Sequence, residues 1–390
     1  MRLLTEYKVS CLILLLLMLT ACNDNNNQTQ YRIVLDAGST KTQLYLYQYN
    51  ELNALPYDII TNTENRAEPG VADVENTELN SYLSTIFTDE LAQTITLLSI
   101  EQGRSTSNPL LNGIQFYSTA GMRALPASEQ ATKNAYINTW IKNWLTTNDI
   151  PLNESRLDVR TIPGEEEASY GWAAVNYLEN AFEGTLLGSA EIGGASTQIA
   201  YIDNTAPNVN INIANTQYSI TGYSYPLGQN VIIADLSPID ACNLKGFTDT
   251  AAGNYAECRT AAKTMIDNTV TVDTPNAVNI AYYDLLSNYY NSAEFFGITD
   301  DYSLTALQNA AELFCELTWS QAQADYPDVS TSYLPYYCMG AAYQGALLED
   351  SYGLNDTYQT FDPVDDINGT SVDWTIGVLA TQAFTLLSES

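Results

Sequence analysis

Residues 36–42 read DAGSTKT and residues 191–199 read EIGGASTQI, each at the end of a short apolar run. Tyr31 to Asp36 (YRIVLD) has the pattern of a buried strand, and Gln43 to Tyr49 (QLYLYQY) alternates with period two as a second strand does. Leu186 to Ile192 and Gln198 to Ile202 repeat that arrangement around the second stretch. Each unit is a strand ending in a carboxylate, a tight turn of Gly with Ser or Thr, and a returning strand. Glycine permits the close backbone approach that lets N–H groups and hydroxyls converge on one anion. A carboxylate beside such a turn repels phosphate directly, so its natural task there is to hold a hydrated divalent cation. A single turn of this kind also suits an ordinary hairpin; two in one chain suggest a duplicated phosphate-binding unit.

Beyond these turns, helical spacing of apolar residues predicts helices over 80–100, 132–145, 165–182, 281–296, 305–324, 339–348 and, after Trp374, 377–387. Short strands are expected at 114–118 and 159–162, and hairpins or loops over 204–228. Strands alternating with helices give an α/β layered architecture.

Composition narrows the chemistry. The 390 residues hold 14 Lys+Arg, 46 Asp+Glu and no histidine, a formal charge of −32. Little is left from which to build a basic stripe for a nucleic-acid polymer. Without histidine there is no Ser-His-Asp or Cys-His nucleophile pair and no His-ligated zinc. Catalysis must therefore use carboxylates, hydroxyls, backbone amides, the few Lys and Arg, or an oxygen-held metal. At 45% apolar and 15% charged, the chain is too hydrophobic for an acidic disordered tail.

The chain opens as an export signal. Arg2 and Lys8 precede an apolar run, Leu12 to Leu19, too short to span a bilayer but suited to a signal-peptide core. Leu19-Thr20-Ala21-Cys22 resembles a bacterial lipobox, which makes Cys22 the lipidated first mature residue. An ordinary signal peptide cleaved nearby is the alternative. Residues 1–21 are then the signal and 22–30 a polar tether, and Asn23 after the cysteine implies delivery to the outer membrane, in the periplasm or facing outward. Removing residues 1–21 takes away Arg2, Lys8 and Glu6 and leaves 12 basic and 45 acidic residues. Four cysteines remain for disulfides, Cys242, Cys258, Cys315 and Cys338; three pairings are possible, and sequence proximity favours Cys242–Cys258 and Cys315–Cys338.

Taken together, DAGSTKT (36–42), STAGMR (118–123), PGEEEASYGW (163–172) and EIGGASTQI (191–199), in this order and spacing, resemble the first four signature regions of the ecto-apyrases, the nucleoside triphosphate diphosphohydrolases. YCMGAAYQGALLEDSYGL (337–354) looks like a fifth, and DWTIGVLA (373–380) like the family's C-terminal Trp element. The resemblance implies a two-lobed actin-like fold, a duplicated RNase H-like unit, with a nucleotide cleft between lobes. Lobe I is expected over 31–155 and lobe II over 156–370, with a helix in 371–390 returning to lobe I.

By that resemblance Glu167 is the general base that deprotonates the attacking water, with Glu166 the neighbouring alternative; first-turn acids favoured by the helix dipole are the bland reading of both. Ser196 and Gln198 match residues that orient the water. Gly38, Ser39, Thr40, Lys41, Thr119, Gly193, Gly194 and Ala195 match the phosphate-binding set, and Arg123 is expected to brace the loops. Asp36 and Glu191 match the residues holding Mg²⁺ or Ca²⁺ largely through water. Two departures stand out: the family usually has Asp at the Glu191 position, and many relatives carry histidine where Lys41 stands. Tyr343 matches a tyrosine that could stack on a nucleobase, and a core tyrosine is an equal reading among 28 tyrosines.

The implied activity is hydrolysis of the terminal phosphate of nucleoside tri- and diphosphates, with a monomer expected. Rival readings are an exopolyphosphatase or guanosine-pentaphosphatase of the same architecture, a sugar kinase, disfavoured because an exported protein meets no ATP pool to spend, and a non-catalytic nucleotide- or glycan-binding lipoprotein.

Overall fold

A computed structural model describes residues 29–50, 55–59 and 65–386. The expected signal segment, Cys22 and most of the expected tether lie outside them. Thr29 and Gln30, expected at the end of the tether, instead begin the first strand.

The first sheet contains β1 (Thr29–Ala37), β2 (Thr42–Asn50), β3 (Leu55–Ile59), β4 (Arg66–Ala67), β5 (Leu111–Ser118) and β6 (Leu157–Thr161). Its order is β3-β2-β1-β5-β6, with β4 also pairing β2. β1, β2 and β3 form an antiparallel meander, while β5 runs parallel to β1 and β6 parallel to β5. The second sheet contains β7 (Gly188–Ile192), β8 (Thr197–Ile202), β9 (Val209–Ile213), β10 (Thr216–Tyr225), β11 (Tyr282–Ser287), β12 (Thr360–Val364) and, beyond the small hairpin of β13 (Asp366–Ile367) and β14 (Thr370–Ser371), β15 (Thr381–Leu386). Its order is β12-β11-β7-β8-β10-β9-β15.

Both sheets are built alike: a first strand turns back antiparallel on one side and takes parallel strands on the other. The likeness extends to register. Asp36 lies opposite Gln43 in the first hairpin, and Glu191 lies opposite Gln198 in the second. The likeness of the two glycine turns is therefore a duplication of topology, and the architecture is the two-lobed α/β fold that the family resemblance implied.

Each sheet buries its outer face under its own helices. Helices α1 (Leu79–Ile86), α2 (Asp89–Glu101), α3 (Ala120–Arg123) and α4 (Ala127–Thr147) cover the first, so that Ile33, Leu35 and Leu44 pack with Leu83, Ile95, Ile137 and Ile141. Helix α5 (Gly164–Leu178) is followed by α6 (Gln229–Leu236), α7 (Tyr255–Thr269), α8 (Asn288–Phe296), α9 (Leu304–Cys315), α10 (Trp319–Asp325) and α11 (Tyr337–Gly345). Of these, α6 to α11 cover the second sheet, where Ile192, Ile199 and Leu285 pack with Ile266, Leu307 and Met339. The disulfides Cys242–Cys258 and Cys315–Cys338 are both formed and close loops within this helical layer.

The inner faces meet around α5 and α12 (Trp374–Ala380). One side of α5 presents Tyr170 and Ala174 to Val34, Tyr47 and Tyr117 of the first sheet, together with Trp374, Ile376 and Val378 of α12. Its other side presents Ala168, Trp172 and Ala173 to Ala200, Ile211 and Ile220 of the second. A helix apolar on both sides is what a place between two sheets requires.

Several expectations are corrected. The 80–100 helix is two, because the Thr88 hydroxyl accepts from the Leu91 amide and caps a new helix. The 305–324 helix likewise restarts at the Thr318–Gln321 capping box. The first half of 281–296 is strand β11, held by parallel ladders on both sides. The closing 377–387 helix stops at Ala380 and continues as β15, which pairs with β9 of the second sheet. The tail thus joins both lobes instead of returning to the first alone. Strand β6 completes the first sheet although the 155/156 boundary assigned it to lobe II.

Candidate active site

The glycine turns lie at the ends of β1 and β7, facing one another across the inner space. A Cβ on Gly194 would stand 2.7 Å from Ser39 Oγ and 3.1 Å from Thr40 Cγ2, so only glycine lets the turns approach this closely. The second turn is anchored from behind by α6: the Gln229 and Asn230 amides donate to the Gly193 and Gly194 carbonyls, both at 2.9 Å. Within it the Gly193 amide donates to the Ser196 carbonyl at 2.9 Å. That amide is committed to the turn, which removes Gly193 N–H from the expected phosphate donors. Thr119 sits buried where β5 meets α3, its amide donating to Ala37 O at 3.1 Å. This joins the STAGMR segment to the first turn.

Helix α5 sends its two buried acids in different directions. Glu166 is fully engaged: Arg160 Nη1 and Nη2 grip its two oxygens at 2.7 and 2.5 Å, and the Tyr170 hydroxyl donates to Oε1 at 2.6 Å. Its work is structural, tying α5 to β6. Glu167 turns instead to the turns, with Oε2 2.8 Å from Arg123 Nη1. Burial pushes the Glu167 carboxyl above its ordinary range, and the Arg123 charge pulls against that rise.

Arg123 ties these parts together. Beyond Glu167 it donates through Nη1 to Ile162 O at 3.2 Å, and through Nη2 to Ser224 Oγ at 3.3 Å and Ser196 Oγ at 3.5 Å. Gln198 Nε2 donates to the same two hydroxyls, at 2.7 Å to Ser196 and 2.9 Å to Ser224. Glu167, Arg123, Ser196, Gln198 and Ser224 are one connected polar network inside an otherwise apolar layer, an arrangement that fixes each side chain strongly. Arg123 thus links Glu167 of α5 to the Ser196 and Ser224 hydroxyls of the second lobe.

Asp36 and Glu191 remain partly accessible from the cleft yet are surrounded by protein. Desolvation holds the Asp36 carboxyl well above its usual range, reinforced by the charges of Asp373, Glu167 and Glu191, with Lys41 opposing. Glu191 is pushed up to about 7, first by desolvation and then by Glu167 and Asp373, while a 2.8 Å hydrogen bond from Ser287 Oγ to its Oε1 opposes the rise. Carboxylates gathered with so little positive charge make an all-oxygen donor set suited to a hard divalent cation. Mg²⁺ keeps much of its water shell, so such a set need not form a cage; among the described residues no three acidic, Cys or His side chains do.

One expected contact is overturned. Tyr343 is fully buried in the second core and its hydroxyl donates to Leu227 O at 2.7 Å, which leaves no face on which a base could stack. Two residues that the sequence reading passed over belong to the site. Ser224 stands opposite Gln198 on β10, and the register partner of a site residue is a signal visible only once strands are paired. Asp373 opens α12 inside a motif already singled out for its tryptophan, so its signal was present but unread.

Comparison with known proteins places this geometry. The GDA1/CD39 (nucleoside phosphatase) family model matches residues 22–231 and 229–387. The nucleoside-triphosphatase ntp-1 of Caenorhabditis elegans is 25% identical over 405 residues, covering 90% of this chain and 72% of its own length. The ectonucleoside triphosphate diphosphohydrolase 1 of Bos taurus is 24% identical, covering 90% and 80%. Among solved structures, a nucleoside triphosphate hydrolase from Neospora caninum superposes with a TM-score of 0.59 at 14% identity, covering 96% of each chain. The Ppx/GppA family member of Aquifex aeolicus superposes at 0.51 with 12% identity, covering 90% of this chain and 97% of its own, a likeness of fold alone. With the family model spanning both glycine turns and the Trp element, the chain belongs to the GDA1/CD39 family of nucleoside phosphatases, hydrolases of phosphoanhydride bonds.

Proposed function

We propose that the protein removes the terminal phosphate of extracytoplasmic nucleoside tri- and diphosphates by water activated at Glu167. The observation that carries this reading is the single network in which Arg123 reaches both Glu167 and the Ser196 hydroxyl that Gln198 also holds, directly beside two opposed glycine turns.

Phosphate is received by the backbone and hydroxyls of Gly38, Ser39, Thr40, Gly194 and Ala195, with the Thr119 hydroxyl and the Lys41 ammonium beside them. Preorganised donors of this kind stabilise charge that develops on the transferring group. Ser196 and Gln198, held by Arg123 and Ser224, orient a water in line with the terminal phosphorus. Glu167 takes its proton, and burial makes its carboxylate a stronger base than an ordinary one. A divalent cation, Mg²⁺ or Ca²⁺, held by Asp36 and Glu191, would supply neutralisation of the polyphosphate charge. The apolar leader and Cys22 support export and lipid anchoring at the outer membrane, a part of the proposal independent of the chemistry.

The test is Glu167→Gln in purified protein. It should bind nucleotide with cation while phosphate release falls by about 10²–10⁴-fold, the usual contribution of general acid–base catalysis. Near-normal turnover would remove Glu167 from this role. Assaying ATP, ADP and inorganic polyphosphate side by side separates this reading from a polyphosphatase. Complete inactivity of the unaltered protein with every divalent ion would favour a binding protein.

A further inference from the structure

The second glycine turn is held in a set attitude by residues far from it in the chain. Gln229 and Asn230, the first two residues of α6, donate their amides to the Gly193 and Gly194 carbonyls, both at 2.9 Å. These are trans peptides, and a trans peptide is planar, with its C=O and N–H pointing in opposite directions. Turning the two carbonyls toward α6 therefore turns the Gly194 and Ala195 amides away from it, toward the cleft. Among the described residues neither amide has a partner within the protein. Gly228, just ahead of α6, sets the distance: a Cβ there would stand 2.4 Å from the Ala195 nitrogen and carbonyl carbon and from the Ser196 nitrogen. Its φ of −75° is open to any residue, so glycine is needed here for space alone.

What holds Gly228 in place is α11. The Tyr343 hydroxyl donates to the Leu227 carbonyl at 2.7 Å, and both residues are fully buried in the second core. That carbonyl belongs to the peptide leading into Gly228, so the bond fixes the plane of the strap behind the turn. The next residue of α11 serves the other end of the turn. Gln344 Nε2 donates to Asn288 O at 3.0 Å, and Asn288 Nδ2 donates to Ile192 O at 2.7 Å, immediately before Gly193. A phenylalanine at 343 would fill the same core volume against the same neighbours. The hydroxyl adds one thing, a fixed Leu227 peptide, across 116 residues of chain.

We propose that Tyr343 is a positioning residue for phosphate: through Leu227 and Gly228 it holds the second turn so that the Gly194 and Ala195 amides converge on the transferring phosphoryl group. The proposal rests on the nucleotide-hydrolase reading above. It gives the 337–354 motif a task at the phosphate, in place of the base stacking that the burial of its tyrosine rules out. Donors aimed in advance count most where charge develops in the transition state. Loosening the strap should therefore depress kcat more than it raises KM. Tilting two amides is a smaller injury than removing a donor outright, which costs about 10²–10³-fold, so a fall of about 10-fold is expected.

Tyr343→Phe removes the hydroxyl and keeps the ring. On the full chain, kcat and KM for ATP with Mg²⁺ and inhibition by orthovanadate are measured for the unaltered protein, Tyr343→Phe, Gly228→Ala and the double variant, with thermal unfolding in parallel. Orthovanadate mimics the transferring phosphoryl group and carries no base, so its inhibition reports phosphate positioning alone. The expected result for Tyr343→Phe is a kcat about 10-fold lower, a smaller change in KM and a matching loss of vanadate inhibition, in protein still folded at the assay temperature. Because both substitutions act on one strap, the double variant should lose little more than the worse single one. A lowered unfolding temperature with kcat and vanadate inhibition unchanged would make the hydroxyl merely structural and overturn the proposal, leaving the hydrolase reading standing. Full additivity with Gly228→Ala would do the same. If Gly228→Ala does not fold, the vanadate comparison on Tyr343→Phe decides. Absence of phosphate release by the unaltered protein with every divalent ion would overturn both.

Discussion

Three consecutive glutamates on α5 have divergent fates because adjacent helical positions point about 100° apart. Glu166 meets Arg160 and Tyr170 on the first-sheet side, whereas Glu167 meets Arg123 on the cleft side. Ordering alone could not separate them; their partners do, and the proposed base is the one that faces Arg123. The Arg123 pairing has a kinetic consequence with a definite sign. Its positive charge lowers the Glu167 pKa against the rise imposed by burial, so removing it lets that pKa climb further. The base works only when ionised. Arg123→Met should therefore move the acid limb of the kcat/KM profile to higher pH, with the loss of activity deepest on the acid side. An acid limb that stays in place would show that Glu167 and Arg123 are not coupled in the free enzyme. Most site residues were legible as residue types within motifs, while Ser224 was not, because its importance lies in facing Gln198 across a ladder.

Helices α5 and α12 set how closely the two lobes approach. They touch at Gly377, where an added Cβ would lie only 1.9 Å from the Tyr170 carbonyl oxygen. That neighbour is backbone and cannot swing aside as a side chain would. Gly377→Ala should cost about 1–3 kcal/mol, the usual range for overpacking a dense core, measured by urea unfolding at constant m-value. Stability unchanged within error would mean that the two helices part without cost. The same element explains what sequence periodicity missed. Residues 377–387 form an apolar run that fits a helix or a buried strand equally well. The chain leaves the helix at Thr381 because the edge of β9 offers a ladder to pair with. Residues 282–287 became β11 for a similar reason, filling a slot between β7 and β12 that exists only in the assembled sheet. The splits at Thr88 and Thr318, by contrast, were readable as capping residues and were passed over in favour of longer periodic runs.

The net charge of −32 acts on the whole molecule. It opposes the approach of an anionic nucleotide, and the proposed phosphate site offers amides, hydroxyls and, among the described residues, the cations Lys41 and Arg123. Screening should therefore help. Raising NaCl shortens the Debye length from about 30 Å at 0.01 M to about 8 Å at 0.15 M. At saturating divalent cation, kcat/KM for ATP should rise several-fold over that interval, the reverse of the usual steering effect. A fall would mean that the local positive field of the cleft outweighs the surface. The sequence by itself determined the two glycine turns, the exclusion of histidine chemistry and a preference, by proximity, for one of three disulfide pairings. These are local: they depend on residues close in the chain or on residue types that are simply present or missing. Tertiary structure alone decided that Glu167 and not Glu166 faces the cleft, that Tyr343 is core, and that Ser224 meets Gln198. Those outcomes depend on which surfaces meet across hundreds of residues, and sheet pairing and helix packing settle that only when the chain is folded.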